Sequence, residues 1–275
     1  METKEQLQQA MAEVETWEQE QKDLWIWDKL ARLPFVLLDK VTPAFIQEKL
    51  GQAVEELARY VDTGGRYLLH EQEVVKLLSE QSVAAGGQSI RSIEQIAEQP
   101  LSLMDAVADQ LSSSRTRFAT VQGATTGVGG VFTLAIDIPL LLGQSLKVLQ
   151  EMAVVYGYQP AEQAERVFIV KCLQFTASDL VGKRAILEEL GQYGSEAKRN
   201  QMIAQLVGWR EVALTYRDNF GWKKLLQLIP IAGILFGAYI NRKTIEEVAE
   251  TGRMLYRKRR IAERLLRITG ERPTE

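Results

Sequence analysis

Cysteine and histidine are almost missing from this chain: its 275 residues include one of each, Cys172 and His70. A lone cysteine excludes an intramolecular disulfide, which fits a reducing compartment. Two such residues cannot build a zinc centre of Cys and His ligands within one chain. Only a carboxylate-dominated site, or one shared across an oligomer, survives that count. Without a second histidine there is no HExxH motif, and a lone histidine is more often a surface or hydrogen-bonded residue than a catalyst.

Other signals are missing too. The opening METKEQLQQAMAEVETWEQEQ is acidic and has no apolar h-region, so no secretory signal is expected and a cytoplasmic location is the default. Hairpin dipeptides of the Asn-Gly type are absent, and VFTLAI over 131–136 is the one stretch that alternates with period two. No repeat of fixed period occurs. GATTGVGG lacks the Lys-Ser/Thr ending of a phosphate loop and is not a GxGxxG fingerprint. No cofactor is expected.

What remains is apolar and helical. The apolar fraction is 46%, enough for a sizeable core. The net charge of −3 argues against a nucleic-acid partner. Charge is unevenly placed. Residues 1–30 hold three Lys against eight Asp or Glu, whereas residues 241–267 hold nine Lys or Arg against four Glu. The fold class expected is all-α, with about nine to twelve helices in a single multi-helix domain over 1–275.

Two uncharged runs stand out. Gly123 to Gly143 carries five glycines, Pro139 and one charge, Asp137. Leu225 to Ile240 carries Pro230 and a GxxxG at Gly233 and Gly237. Gly123, Gly127 and Gly130 share one helix face, so each run offers a bare strip against which another helix can close. A membrane span needs about 20 predominantly apolar residues. The second run has sixteen, broken by proline, and the first places Asp137 well inside. A mid-bilayer carboxylate costs roughly 2.5–3.5 kcal/mol on insertion scales. A buried helical hairpin is therefore expected over two spans, with shallow membrane contact left open.

Asp137 has two readings. It can cap a new helix that has Pro139 as its second residue. Alternatively, a carboxylate in apolar surroundings has a raised pKa and can serve as an acid or hold a cation, which makes Asp137 the one weak catalytic candidate. Cys172, among apolar neighbours, is expected to be a small buried hydrophobe.

Helical spacing also covers 4–31, with Trp17, Trp25 and Trp27 as core residues or as an interfacial belt. Further helices are expected over 42–61, 66–81, 90–100 with the spacing continued over 104–111, 159–175, 178–190 and 195–216, and 146–156, closed by Gly157, reads as the helical continuation of the central stretch. The run Ser112 to Arg115 leads into the central stretch. The tail reads as an amphipathic helix with Ile245, Val248, Ala249, Leu255, Tyr256, Ala262, Leu265 and Leu266 on its apolar face. Arg257, Lys258, Arg259 and Arg260 crowd its polar side, a possible contact with an anionic surface. The competing expectation packs the tail on the acidic N-terminal helix, with its cations in water or paired with Glu13, Glu18 and Glu20.

Several blocks in order resemble a known family. Trp17-Glu18, TTGVGG followed by AIDIP, Tyr156-Gly157, and IPIAGILFGAYIN with Tyr256-Arg257 beyond it are similar to the EcsC family, over Trp17 to Leu265. The matching positions are Gly127, Gly129, Gly130, Asp137, Pro139, Pro230, Gly233, Gly237 and Asn241. The Trp17-Glu18 block departs from the pattern, since the first proline after it is Pro34. The resemblance implies a bacterial, mostly helical protein, cytoplasmic or membrane-associated, with no established reaction and no catalytic residues to carry over. Contact with the cytoplasmic membrane face, or with a membrane-bound partner of transporter type, is the expected activity; the alternative is a hydrolase-like enzyme using Asp137 with other carboxylates.

Overall fold

The computed structural model describes residues 2–22, 52, 55–57, 59–60, 63, 65, 68–126, 131–178, 180–191, 200–201 and 237–270; within these, the side chains of 22, 123–126, 131–139, 177, 180–181 and 237–241 fall outside the description. The described elements are helices throughout. They are α1 (Lys4–Lys22), α2 (Glu71–Ala84), α3 (Ile93–Ala97), α4 (Leu101–Thr126), α5 (Val131–Val155), α6 (Gln163–Ala177), α7 (Leu180–Gly191) and α8 (Gly237–Thr269). The all-α expectation holds, and VFTLAI is the helical start of α5. No helix among the described residues is long and apolar enough to cross a membrane.

The long helix α8 is the hub. It lies against α4, α5, α1 and α6. Ile245, Val248, Ala249, Met254, Leu255, Tyr256, Ile261 and Leu265 are its buried apolar positions. Their spacing of three, one, five, one, one, five and four residues reaches around more than one face, as a helix with neighbours on several sides requires. Gly252 lets α8 come close to α5: a Cβ there would stand 2.9 Å from Leu149 Cδ2.

Ion pairs record the directions. Arg253 meets Asp109 and Arg257 meets Asp105, so α8 runs antiparallel to α4 in one fixed register. Arg115 meets Glu151, and seven residues on Gln144 donates to Gln122, so α4 and α5 form an antiparallel hairpin. The two α8–α4 pairs are one helical turn apart on their helices, and the two α4–α5 pairs are two turns apart.

The serine run leads into the central stretch as expected, within the continuous helix α4, and the Ser112 hydroxyl donates to the Ala108 carbonyl at 2.7 Å. Local expectations fail where tertiary contacts outweigh local signals. No new helix starts after Asp137: α5 passes through Asp137 and Pro139 without a break, which corrects the capping reading. An interior proline costs about 3 kcal/mol. Leu141, Leu142 and Leu146 follow it and are at most 1% exposed, and at about 1.5–3 kcal/mol each their burial offsets that cost. α2 starts at Glu71 and not near residue 66; the Leu68 amide closes a turn onto the Gly65 carbonyl, and Glu71 and Glu73 suit the positive end of the helix. The expected helices over 42–61 and 195–216 lie largely outside the described residues.

Candidate functional site

The sequence places four cations in succession at 257–260. Successive residues on a helix turn by about 100°, so four of them cannot share one face. The structure follows that geometry, and the picture of a single basic side is corrected. Arg257 donates to Asp105 of α4 at 3.0 Å and to Glu13 of α1 at 2.9 Å. Lys258 donates to both oxygens of Glu18 on α1. Arg259 turns to α6 and donates to both oxygens of Glu165, at 2.8 Å each. Arg260 turns to the end of α5. Of the three N-terminal acids expected to pair with the tail, Glu13 and Glu18 do so.

The end of α5 explains Arg260. Gly157 has φ +78°, and a Cβ on it would stand 2.7 Å from the Ala97 backbone, so only glycine fits. The chain turns there, the Gly157 and Tyr158 amides close onto the Val154 and Ala153 carbonyls, and the carbonyls beyond them need partners from elsewhere. Arg260 Nε donates to the Tyr156 carbonyl at 2.8 Å and its Nη2 donates to the Gly157 carbonyl at 3.2 Å. One turn on, Arg264 does the same at the end of α3, donating to the Ala97 and Gln99 carbonyls and to Glu2. Guanidinium groups at two helix C-termini are favoured by the helix dipole as well as by the hydrogen bonds.

A stack of rings and cations fills the middle. The Arg259 guanidinium lies 4.3 Å from the Phe168 ring centre and 4.1 Å from that of Tyr158. Arg260 lies 4.4 Å from the Tyr158 ring centre in turn. The Tyr158 hydroxyl donates to Glu263, and the Tyr256 hydroxyl to Glu165 at 3.3 Å. Burial opposes the charge on Arg259, but Glu165 beside it more than compensates and holds its pKa above the ordinary arginine value. Burial lifts the phenols of Tyr156, Tyr158 and Tyr256, so all three keep their protons at neutral pH. Burial lifts Asp105 as well, although the Tyr156 hydroxyl and Arg257 pull the other way.

Such a cluster holds helices together and offers no reactive group. Its cations end on carboxylates or helix carbonyls. Cys172 is fully buried close by, and burial pushes its thiol well above its ordinary range, which leaves it inert. Among the described residues no group of three or more His, Cys, Asp or Glu is placed to hold a metal. His70 is exposed at the start of α2.

Asp137 and Pro139 sit within α5, Gly237 opens α8 and Asn241 follows in its second turn. The side chains of Asp137, Pro139 and Asn241 lie outside the description, as do Gly127, Gly129, Gly130, Pro230 and Gly233 altogether. Sequence reasoning missed Glu165, Tyr158, Phe168 and Asp105; each meets its cation across long stretches of chain.

The outside of the α4–α5 hairpin differs in chemistry. Ser113, Ser114, Arg117, Phe118 and Val121 form one exposed stripe along α4, with Phe118 60% and Val121 65% exposed. No Asp or Glu occurs between Asp109 and Asp137. Leu140 on α5 is 49% exposed.

Comparison with known proteins gives a consistent answer. The model of the EcsC protein family matches residues 8–261. The chain is 53% identical over 264 residues to the uncharacterized protein YdbA of Bacillus subtilis (strain 168), covering 96% of each chain. It is 27% identical over 218 residues to protein EcsC of the same organism, covering 79% of this chain and 85% of that one. No solved structure matches it.

Proposed function

The chain belongs to the EcsC protein family, and from that premise we propose that it works by contact, docking on the cytoplasmic face of a membrane or on a membrane-bound partner of transporter type. The observation that carries this reading is the contrast between inside and outside. Inside, Glu165, Glu151, Asp105 and Glu18 are each held by an arginine or lysine, and the phenols and the thiol keep their protons. A polar site that turns over substrate needs a group free to change its proton or its partner. Outside, α4 presents an arginine, a phenylalanine and a valine along one face, a composition suited to contact.

Sedimentation of the full chain with native bacterial membrane vesicles tests the proposal. The chain is expected to pellet with the vesicles. Shaving the vesicles with protease first separates the two targets: binding that survives is to lipid, and binding that is lost is to a membrane protein. Asp137→Asn should pellet like the natural chain. A chain that stays in the supernatant with intact vesicles would overturn the proposal.

A further inference from the structure

We infer that the exposed stripe Arg117, Phe118 and Val121 of α4 is a docking face for an anionic phospholipid surface. The inference rests on the contact reading above and gives it a place and a ligand chemistry.

The stripe lies on the face of α4 that is exposed along 113–121. Positions 114, 118 and 121 repeat at four and three, and 113 and 117 at four, so the five exposed residues lie side by side along the outer face of one helix. Phe118 and Val121 leave more than half their surface in water, at 60% and 65%. The α4–α5 register sets Leu140 level with Thr126, further out along the same arm, and Leu140 is 49% exposed. Arg117 is exposed with no ion-pair partner among the described residues, whereas Arg115 two positions earlier is held by Glu151.

Charge and shape together select the occupant. The absence of any carboxylate between Asp109 and Asp137 leaves the outer arm of α4 positive, so an anionic surface is attracted and nothing on that helix segment repels it. A stable protein interface buries about 800 Å² on each partner, more than three side chains along one helix supply. A membrane has no such threshold: apolar side chains enter the boundary between head groups and acyl chains while the cation stays with the phosphates. The hydroxyls of Ser113 and Ser114 beside the stripe are at home at that boundary.

Vesicle binding of the full chain tests this, with phosphatidylcholine alone and with phosphatidylcholine containing one quarter phosphatidylglycerol. Binding is expected only to the anionic vesicles. Phe118→Ser should weaken it about tenfold and Arg117→Gln about threefold, while Val83→Ser, at an exposed apolar position on α2, should leave it unchanged. A second measurement uses Val121→Cys carrying an environment-sensitive dye, which labels selectively because Cys172 is buried. Its emission should shift to the blue with anionic vesicles. Absent binding to anionic vesicles, a dye that does not respond, or binding that Phe118→Ser and Arg117→Gln leave unchanged would each overturn the inference. A concentration-dependent dimer that Phe118→Ser abolishes, with no vesicle binding, would overturn it in favour of a second copy. Protease-sensitive binding to native membranes without lipid binding would overturn this inference and leave the contact proposal standing.

Discussion

The guanidinium of Arg259 donates to both carboxylate oxygens of Glu165, at 2.8 Å each, while the Phe168 and Tyr158 rings lie 4.3 and 4.1 Å from it. A buried pair of this kind gains little over an apolar pair of the same size, but losing one member leaves a charge stranded. Glu165→Gln should therefore cost about 3–5 kcal/mol in urea unfolding. The double variant Glu165→Leu with Arg259→Met should recover most of that loss. Equal losses in the single and double variants would assign the effect to packing and not to the stranded charge.

Gly157→Ala tests the turn that Arg260 caps. The new methyl meets the Ala97 backbone and sits at a φ of +78°, so overpacking and strain add. A loss of about 1–3 kcal/mol is expected from overpacking alone, read as a lower Tm. Gly86 also has a positive φ but nothing within 4 Å of a Cβ, so Gly86→Ala should cost less.

How much of this was legible beforehand follows from sequence distance. Gly157 was readable as a helix stop, because glycine after a periodic run is a local signal. That Arg260, more than a hundred residues later, would supply the cap was not local and could not be read. The acidic start and basic end were visible as opposite charge, and they meet: Glu2 with Arg264, Glu13 with Arg257, Glu18 with Lys258. The inward turn of Arg259 was hidden, since nothing local marks Glu165 as its partner. Asp137 misled for the converse reason. Its local sequence is a good helix start, and the apolar packing of the residues after it carries the helix through.

Acid should weaken the clamp at the chain's start. Burial works to raise the pKa of Glu2, but hydrogen bonds from backbone amides and the charge of Arg264 outweigh it and leave the group below its ordinary 4.5. A lowered folded pKa means stability that is present above 4.5 and lost as pH falls through the folded value. The stability difference between the natural chain and Glu2→Gln should start to shrink as pH drops below 4.5 and vanish once pH has passed the lower folded value. Asp105 has the opposite sign: its folded pKa is raised above 3.8, so the cost of its charge is relieved on protonation. Carboxyl carbon NMR should find the Asp105 midpoint above 3.8 and the Glu2 midpoint below 4.5.

Cys172 should report global unfolding. It is fully buried, and its thiol keeps its proton at neutral pH. A thiol reagent should leave the native chain unmodified for hours and react in step with denaturant unfolding. Rapid native-state labelling would contradict the closed core around α6 and α8.

Amide hydrogen exchange of the full chain, with and without anionic membrane vesicles, decides most directly where contact occurs. Vesicles should slow exchange over residues 113–126 of α4 and leave residues 257–260 of α8 unchanged, since those four cations already face partners inside the protein. Slowed exchange at 257–260 with none over 113–126, or no change anywhere, would contradict contact through the outer arm of the α4–α5 hairpin.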